Sequence, residues 1–409
     1  MNRNDRSIVG LVMVSHAMVH TYELSIPILM TIWLDTFPVT AGQLGLVVSA
    51  GYALFGLGAL PGGVLADRFG SRRLIVVALF GMGGSFLALS VSPSIPVIAA
   101  SLLLWGAAAS VYHPSGLSLI SKGVERQGDA FAFHGIAGNV GIAFGPLATT
   151  VLLLFTDWNV VALVLALPAL LAGAFALRIR FDESAAVDES DGDSKTSAVS
   201  SLSEFVSESK LLFFGPFVGI FVIAIGSGLY YRGFLTFLPE VISDFPMFEP
   251  IAVAGRDFEP SRYFYVGLLM VGMAGQYVGG KLTERAPKEV AIAFAFGTLA
   301  VLAVVFLPAA NAGLVPFILV GAVLGFFLFV VQPLYQATVA EYSPAGTRGL
   351  SYGYTYLGVF GVGASAAAIA GTIIEFFSAG ALFVFLASVA IGASALGVIL
   401  ALRRSGRSL

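Results

Sequence analysis

The chain alternates between long apolar runs and short polar breaks. Runs of about 20 apolar residues recur along its whole length, separated by charged or Pro/Gly-rich segments. A helix that rises 1.5 Å per residue needs about 20 residues to cross a hydrocarbon layer of roughly 30 Å. The pattern therefore predicts twelve membrane-spanning helices, near residues 8–32, 41–66, 74–91, 96–121, 128–154, 158–179, 211–238, 261–283, 288–308, 313–340, 348–374 and 379–402.

A long polar segment interrupts this pattern near the middle of the chain. Residues 180–210 are rich in serine and carry a cluster of acidic residues, a composition typical of a flexible linker. We therefore predict an N-terminal six-helix half over residues 1–180, an acidic cytoplasmic linker over 181–210 and a C-terminal six-helix half over 211–409. The expected fold is an all-α polytopic membrane protein built from two pseudo-symmetric halves.

Composition excludes several classes of protein. Of the 409 residues, 57% are hydrophobic and 11% are charged, whereas soluble domains carry about 25% charged residues. The net charge of -3 argues against nucleic acid as a partner, and the lack of cysteine excludes disulfides, thiolate catalysis and Cys-ligated metals. We expect no cofactor and no metal, and we expect the first helix to be retained because no signal-peptide cleavage site follows it.

Basic residues predict the orientation in the membrane. With the N-terminus inside, 18 of the 21 Lys and Arg residues fall in cytoplasmic segments, which leaves Arg232 within a span and Arg256 and Arg262 outside. Positively charged loops stay on the cytoplasmic side of a membrane. The expected location is the plasma membrane, with both termini cytoplasmic.

The two halves carry related landmarks. The segment Gly63-x-x-x-Asp67-Arg68 after the second span recurs as Gly280-x-x-x-Glu284-Arg285 after the eighth. Pro27 in the first span matches Pro239, placed just after the seventh, and His113-Pro114 matches Gln332-Pro333. The offsets indicate a duplication, and six spans per half give both copies the same topology.

The first copy of this motif extends further. Residues 63–73 fit the pattern G-x-x-x-D-R-x-G-x-R-R through Gly63, Asp67, Arg68, Gly70, Arg72 and Arg73. With twelve predicted spans and a second copy, the sequence resembles the major facilitator superfamily over essentially its whole length. The resemblance implies that Asp67, Arg68 and Arg72 act as a cytoplasmic latch; Ala286-Pro287-Lys288 departs from the pattern in the second copy.

Spans 4 and 5 are similar to a narrower branch. Ser110-Val111-Tyr112-His113-Pro114 and the stretch 138–147 resemble the fosmidomycin-resistance branch, whose members export drugs against protons. Gly141, Gly145 and Pro146 also overlap an antiporter motif, although glycines at this spacing equally predict a helix-packing face. Ser115 and Val19-His20 stand where the branch has other residues.

Polar residues inside the predicted spans are the candidates for transport chemistry. His16, His20 and Glu23 share one helix face, because a spacing of four and three residues confines them to an arc of about 60°. Intramembrane polar groups usually face the bundle interior or a water-filled cavity, where they bind substrates or relay protons. The predicted substrate-binding or proton-coupling residues are His16, His20, Glu23, His113, His134, Asn139, Arg232 and Gln332. For the histidines and the amides, a hydrogen-bonded packing role stays open, and we expect Glu23 and Arg232 to face one central cavity.

These features predict a secondary active transporter, not an enzyme. No P-loop pattern occurs, so no nucleotide is expected, and uphill transport must use an ion gradient. We expect a monomer in the lipid bilayer that exports a small organic molecule in exchange for protons by alternating access. The alternatives are proton-coupled uptake of a metabolite or organic anion, and a membrane sensor that binds a ligand without moving it.

Overall fold

The computed structural model describes residues 1–187, 202–253, 256–344 and 347–405, which are mostly helical. The first part of the chain forms α1 (Arg3–Thr36), α2 (Ala41–Leu57), α3 (Ala59–Phe69), α4 (Ser71–Ser90), α5 (Ile95–Ser110), α6 (Tyr112–Gly123), α7 (Gln127–Leu153) and α8 (Trp158–Ala176). The second part forms α9 (Leu202–Phe213), α10 (Phe217–Ser243), α11 (Pro260–Arg285), α12 (Lys288–Asn311), α13 (Leu314–Tyr342), α14 (Arg348–Tyr356), α15 (Ser365–Phe376) and α16 (Ala379–Ser405).

Membrane-spanning helices account for the apolar runs. Within the described ranges, ten helices are long and apolar enough to cross a membrane, and the bent pair α2–α3 makes an eleventh. The helix α11 has 26 residues and coincides with the predicted eighth span, although it is more polar than the others. The twelve predicted spans thus correspond to helices or to pairs of consecutive helices, and the all-α polytopic fold is confirmed.

Three spans are interrupted within the membrane-length segment. The axis bends by 46° between α2 and α3 at Gly58, and α5 ends at Ser110 just before α6 begins. Gly58 faces Ser110 so closely that a Cβ atom there would overlap the serine side chain. A π-helical segment, Leu357–Val362, joins α14 to α15, a feature often found at functional sites.

The chain divides into two compact units. Unit 1 comprises residues 1–37 and 50–198, and unit 2 comprises 38–49 and 199–409, so α2 contributes to both. In unit 2 the Ser49 hydroxyl donates to the Ala364 carbonyl at 2.8 Å, and the Glu375 carboxylate accepts from the Gly42 N–H at 2.9 Å. These bonds hold the first part of α2 against α15.

Glycine faces bring helices together within each unit. In unit 1, Gly141 and Gly145 of α7 lie against the backbone of Ala17 and Thr21 in α1. In unit 2, the glycines of α11 lie in the same way against carbonyl groups of α13, with Gly275 at Phe326 and Gly279 at Val330. Small residues allow close backbone approach where lipid gives no hydrophobic driving force between helices.

Two predictions about the second half are wrong in detail. Pro239 lies inside α10, which runs from Phe217 to Ser243, and not after the seventh span. Residues 202–210, predicted as flexible linker, belong to α9, where the Ser209 hydroxyl lies 2.8 Å from the Tyr354 hydroxyl. The apolar periodicity of α9 gives it a face to pack, which outweighs its serine content. Residues 188–201 of the predicted linker lie outside the described ranges.

The loop between α10 and α11 contains secondary structure that the sequence does not predict. Strands β1 (Ile251–Val253) and β2 (Arg256–Phe258) pair antiparallel, with Ile251 opposite Phe258. A short 3-10 turn, Pro246–Phe248, precedes them, and the Phe248 ring packs edge-on against Phe264 at 5.5 Å.

Candidate functional site

All four histidines of the chain meet in unit 1. His16 and His20 come from α1, His113 from the first turn of α6, and His134 from α7. His16, His113 and His134 are buried, and the side chain of His20 is 12% exposed. The structure therefore brings together residues up to 118 positions apart in the sequence.

Hydrogen bonds connect the polar face of α1. The His20 Nδ1 atom lies 2.5 Å from the Glu23 Oε2 atom, and the His20 Nε2 atom lies 3.1 Å from the His16 Nε2 atom. The His16 Nδ1 atom lies 2.7 Å from the backbone oxygen of His134. Because a carbonyl oxygen only accepts, we assign the proton of His16 to Nδ1. In the neutral ring this leaves a lone pair on the His16 Nε2 atom.

The remaining rings pack around His16. The His134 ring stacks on it at a centroid distance of 3.8 Å, and the His113 ring meets it edge-on at 5.1 Å. The His134 Nε2 atom is buried and has no hydrogen-bond partner among the described residues. In this cluster, His16, His20 and His113 each bring one ring nitrogen within 4.8 Å of the others, so these three could hold a metal ion.

Local sequence explains how the rings are placed. The helix α5 ends at Ser110 and α6 begins at Tyr112, so His113 and Pro114 lie in the first turn of α6. Gly138 of α7 faces the His16 ring so closely that a Cβ atom would lie 2.9 Å from the His16 Nδ1 atom. The Tyr112 hydroxyl donates to the Val12 carbonyl at 2.6 Å and fixes α6 against α1.

Tyr52 and Tyr112 are neighbours of the cluster that the sequence analysis missed. The Tyr52 hydroxyl donates to the backbone oxygen of Glu23 at 2.9 Å, and the Tyr112 ring stacks with His16 at 5.7 Å. Both tyrosines stand inside apolar runs. Only the position of Tyr112 beside His113 gave any signal for either of them.

Arg232 is a buried cation in unit 2. It lies in α10 and is 2% exposed, with its guanidinium carbon 5.5 Å from the centre of the Tyr231 ring and 5.9 Å from that of Phe360. Phe360 belongs to the π-helical segment, and its ring stacks with Tyr356 at 5.7 Å. A desolvated cation–π contact is worth about 2 kcal/mol. The Arg232 guanidinium group is therefore held by contacts with two aromatic rings.

The two predicted amides are in contrasting places. Asn139 lies in α7 of unit 1, and its Oδ1 atom is buried and accepts no hydrogen bond among the described residues. Gln332 lies in α13 of unit 2 beside Pro333 and is half-buried. The role of all these residues in binding or coupling stays a prediction.

The loop motif between α3 and α4 makes its bonds within unit 1. Asp67 pairs with Lys122 at 2.7 Å, and the Arg72 guanidinium donates to the carbonyls of Ala176 and Leu177 at the end of α8. Gly70 adopts a φ of 87°, a conformation that favours glycine.

The other members of the motif lie on the neighbouring helices: Gly63 and Arg68 on α3, and Arg73 on α4. The second copy lies in the last two turns of α11, with Gly280, Glu284 and Arg285. The latch function stays a prediction.

The start of the predicted linker docks beside this motif. The Glu183 carboxylate accepts from the backbone N–H of Arg72 at 3.2 Å, and the Asp182 backbone N–H donates to the Asn4 side chain at 2.8 Å. The N–H and hydroxyl groups of Ser184 both donate to the Asp182 carboxylate, which lowers the pKa of that group. Residues 182–184 thus pack against unit 1, beside the start of α4 and the N-terminus of α1.

Comparison with known proteins gives a family match over most of the chain. Residues 8–368 match the family model of the Major Facilitator Superfamily. The chain is also similar in fold to a bacterial homologue of the human lysosomal transporter Spinster, solved in an inward-facing conformation. That match has a TM-score of 0.69 and 14% identity, and it covers 98% of this chain and 96% of the other.

Curated relatives match over shorter stretches. The lincomycin resistance protein of Streptomyces lincolnensis is 31% identical over 37% of this chain, and the puromycin resistance protein of Streptomyces alboniger is 33% identical over 31%. A Na+, Li+, K+/H+ antiporter of Planococcus maritimus is 31% identical over 23%. The matched stretches span 32%, 26% and 24% of the length of these three relatives.

Proposed function

The chain belongs to the Major Facilitator Superfamily, and we propose that it exports a small organic molecule in exchange for protons. It is a membrane-embedded transporter and not an enzyme. The proposal adds a direction, a coupling ion and a substrate class. It also places the protein in the plasma membrane as a monomer with both termini in the cytoplasm.

Buried charges inside membrane-spanning helices carry the proposal. Glu23 in α1 is 1% exposed and Arg232 in α10 is 2% exposed. Charged side chains are expensive in a bilayer and are kept there mostly along substrate or ion pathways. Glu23 in unit 1 and Arg232 in unit 2 are thus charges of the kind that transporters keep along such pathways.

The relatives favour export of drug-like molecules. Two of them are named for resistance to lincomycin and to puromycin, and a third is named as an antiporter that exchanges cations for protons. The sequence contains no P-loop pattern for a nucleotide, so an ion gradient is the available energy source. Proton exchange agrees with both observations.

Arg232 favours a second candidate function, the uptake of an organic anion together with protons. A guanidinium group keeps its charge inside proteins and binds carboxylates or phosphates in a bidentate manner. The direction of proton movement distinguishes the two functions. Export moves protons against the substrate, whereas uptake of this kind moves both in the same direction.

The test uses the purified full chain in proteoliposomes that contain a pH-sensitive dye. Lincomycin and puromycin are the first compounds, followed by other antibiotics, sugars, amino acids and organic acids. With an acidic lumen, we expect the substrate to accumulate while the luminal pH rises, and a protonophore to abolish the accumulation. Liposomes without protein are the control.

Three other outcomes contradict the proposal. Movement of substrate and protons in the same direction would establish uptake. Exchange that follows a sodium or potassium gradient, and ignores the pH gradient, would replace the coupling ion. Binding of a compound without any counterflow of its labelled form would identify a sensor.

A further inference from the structure

We infer that His16, His20 and His113 form a binding site for a divalent transition-metal ion, with the zinc ion as its simplest occupant. The inference does not depend on the proposed function, because it concerns binding and not transport. It also departs from the prediction that the chain holds no metal.

The ligand atoms already lie close to the geometry that such an ion needs. A tetrahedral ion held about 2.0–2.1 Å from each nitrogen keeps its ligands about 3.3 Å apart. The Nε2 atoms of His16 and His20 are 3.1 Å apart, and the ring nitrogens of all three histidines lie within 4.8 Å of one another. The spacing of four residues on α1 puts the first two on one helix face, as in the H-E-x-x-H zinc motif.

The groups behind two of these rings match the second shell of a metal site. Histidines that bind a metal usually donate the other ring N–H to a carboxylate or to a backbone carbonyl. The His20 Nδ1 atom lies 2.5 Å from the Glu23 carboxylate, and the His16 Nδ1 atom lies 2.7 Å from the His134 carbonyl. Both partners turn the Nε2 atoms of their histidines toward the same point.

The contact between the two Nε2 atoms calls for a cation or an added proton. If Nδ1 of each ring donates, both neutral rings present a lone pair on Nε2, and two lone pairs 3.1 Å apart repel each other. Either a metal ion or an additional proton removes the repulsion. The centre of the His113 ring lies 5.1 Å from that of His16 and 5.8 Å from that of His20. This third imidazole favours the metal ion, because a shared proton needs only two bases.

The chemistry of the donors selects the class of ion. Three imidazole nitrogens suit zinc, cobalt, nickel and copper, whereas calcium and magnesium prefer oxygen ligands. The chain has no cysteine, so thiolate cannot compete for the ion. Three protein ligands leave one coordination position for water or for a donor atom of a bound molecule.

The test measures metal binding to the purified full chain in detergent, freed of any histidine tag. We expect calorimetry to give one zinc ion per chain, and cobalt to produce the visible absorption bands of a tetrahedral nitrogen or oxygen site. Zinc X-ray absorption should show imidazole scattering at about 2.0 Å. Zinc should also raise the midpoint of thermal unfolding, and a chelator should reverse the rise.

Single variants identify the ligands. His16→Asn, His20→Asn and His113→Asn should each weaken zinc binding by more than about 100-fold, and Glu23→Gln by about 10–100-fold. His134→Phe keeps the ring stacking and the backbone carbonyl, and should change binding by less than about threefold. Asp129→Asn removes a carboxylate of the exposed pair with Arg126 and should leave binding unchanged.

Four results would overturn the inference. The first is that the protein takes up no zinc. An additional proton would then lie between the two Nε2 atoms, and the cluster would keep only its predicted coupling role. Binding could survive all three His→Asn substitutions, or fall as far in Asp129→Asn as in them. Lost binding in His134→Phe would show that the ligand set is wrong. If a variant does not fold, the zinc X-ray absorption spectrum of the unmodified protein still distinguishes imidazole ligands from carboxylates.

Discussion

Single residues carry the chemistry of this chain, and their surroundings differ between the units. In unit 1, carboxylate and imidazole groups are hydrogen-bonded to one another, whereas in unit 2 the guanidinium group of Arg232 lies over aromatic rings. The first arrangement suits a small cation. The second suits a planar or anionic group that stacks on rings and pairs with a fixed positive charge.

Arg232 is the residue whose substitution should most directly test substrate recognition. We expect Arg232→Ala to reduce counterflow of a transported compound at least about tenfold, because a hydrogen-bonded pairing with a fixed positive charge, worth about 1.5–3 kcal/mol, is lost. Arg232→Lys keeps the charge without the planar group and should give an intermediate rate. Initial counterflow rates at equal protein density measure the effect.

The controls for this prediction separate function from folding. Each variant should elute as a single species and keep its thermal unfolding midpoint within a few degrees of that of the unmodified protein. If Arg232→Ala transported as fast as the unmodified chain, the assignment of Arg232 to the substrate site would be wrong.

Glycine positions determine how closely the helices of this protein pack against one another. Gly138, Gly141 and Gly145 of α7 lie against His16, Ala17 and Thr21 of α1. The motif that resembles an antiporter signature is therefore also the surface that holds the histidine helix in place. Packing and transport need not be alternatives here, because the packing positions the His16 ring.

Two glycines of α7 offer a matched test of this packing. A Cβ atom at Gly141 would lie 3.0 Å from the backbone carbon of Ala17, whereas one at the exposed Gly135 would meet nothing within 4 Å. We expect Gly141→Ala to destabilise the fold by about 1–3 kcal/mol through overpacking, and Gly135→Ala to leave stability unchanged or slightly higher. Thermal unfolding in detergent measures both; equal midpoints for the two variants would contradict the packing argument.

At the scale of the whole molecule, the charge distribution sets the orientation in the membrane. Ion pairs join helix ends in each unit: Asp67 with Lys122 in unit 1, and in unit 2 the buried Glu289 with Arg404 at 2.9 Å. The predicted topology assigns all four of these residues to the cytoplasmic side. Lysine and arginine in short loops are the residues that fix such a topology.

The absence of cysteine makes this orientation easy to measure. Ser121→Cys and Ser378→Cys each place one thiol at an exposed position, the first at the end of α6 and the second between α15 and α16. In intact cells, a membrane-impermeant maleimide should label position 378 and not position 121, and inverted vesicles should reverse the pattern. The opposite labelling would invert the topology.

The apolar pattern of the sequence is enough to predict the class of the fold and the approximate ends of many of its spans. The thickness of the hydrocarbon layer fixes the length of a span, and the cost of an unpaired backbone group in lipid leaves the helix as the structure for an apolar run. For this reason α4, α7, α12 and α16 begin and end within a few residues of the predicted spans. The motif at residues 63–73 likewise pointed to the family.

Contacts between polar residues on different helices depend on the tertiary structure. The bond from His16 to the His134 carbonyl joins positions 118 apart, and a backbone carbonyl has no signature in a sequence. The helical spacing of His16, His20 and Glu23 did predict a shared face, because neighbours on one helix follow from its period. Contacts between α1, α6 and α7 depend on glycine packing and on the break before Tyr112, and it is these contacts that turn four separate histidines into one cluster.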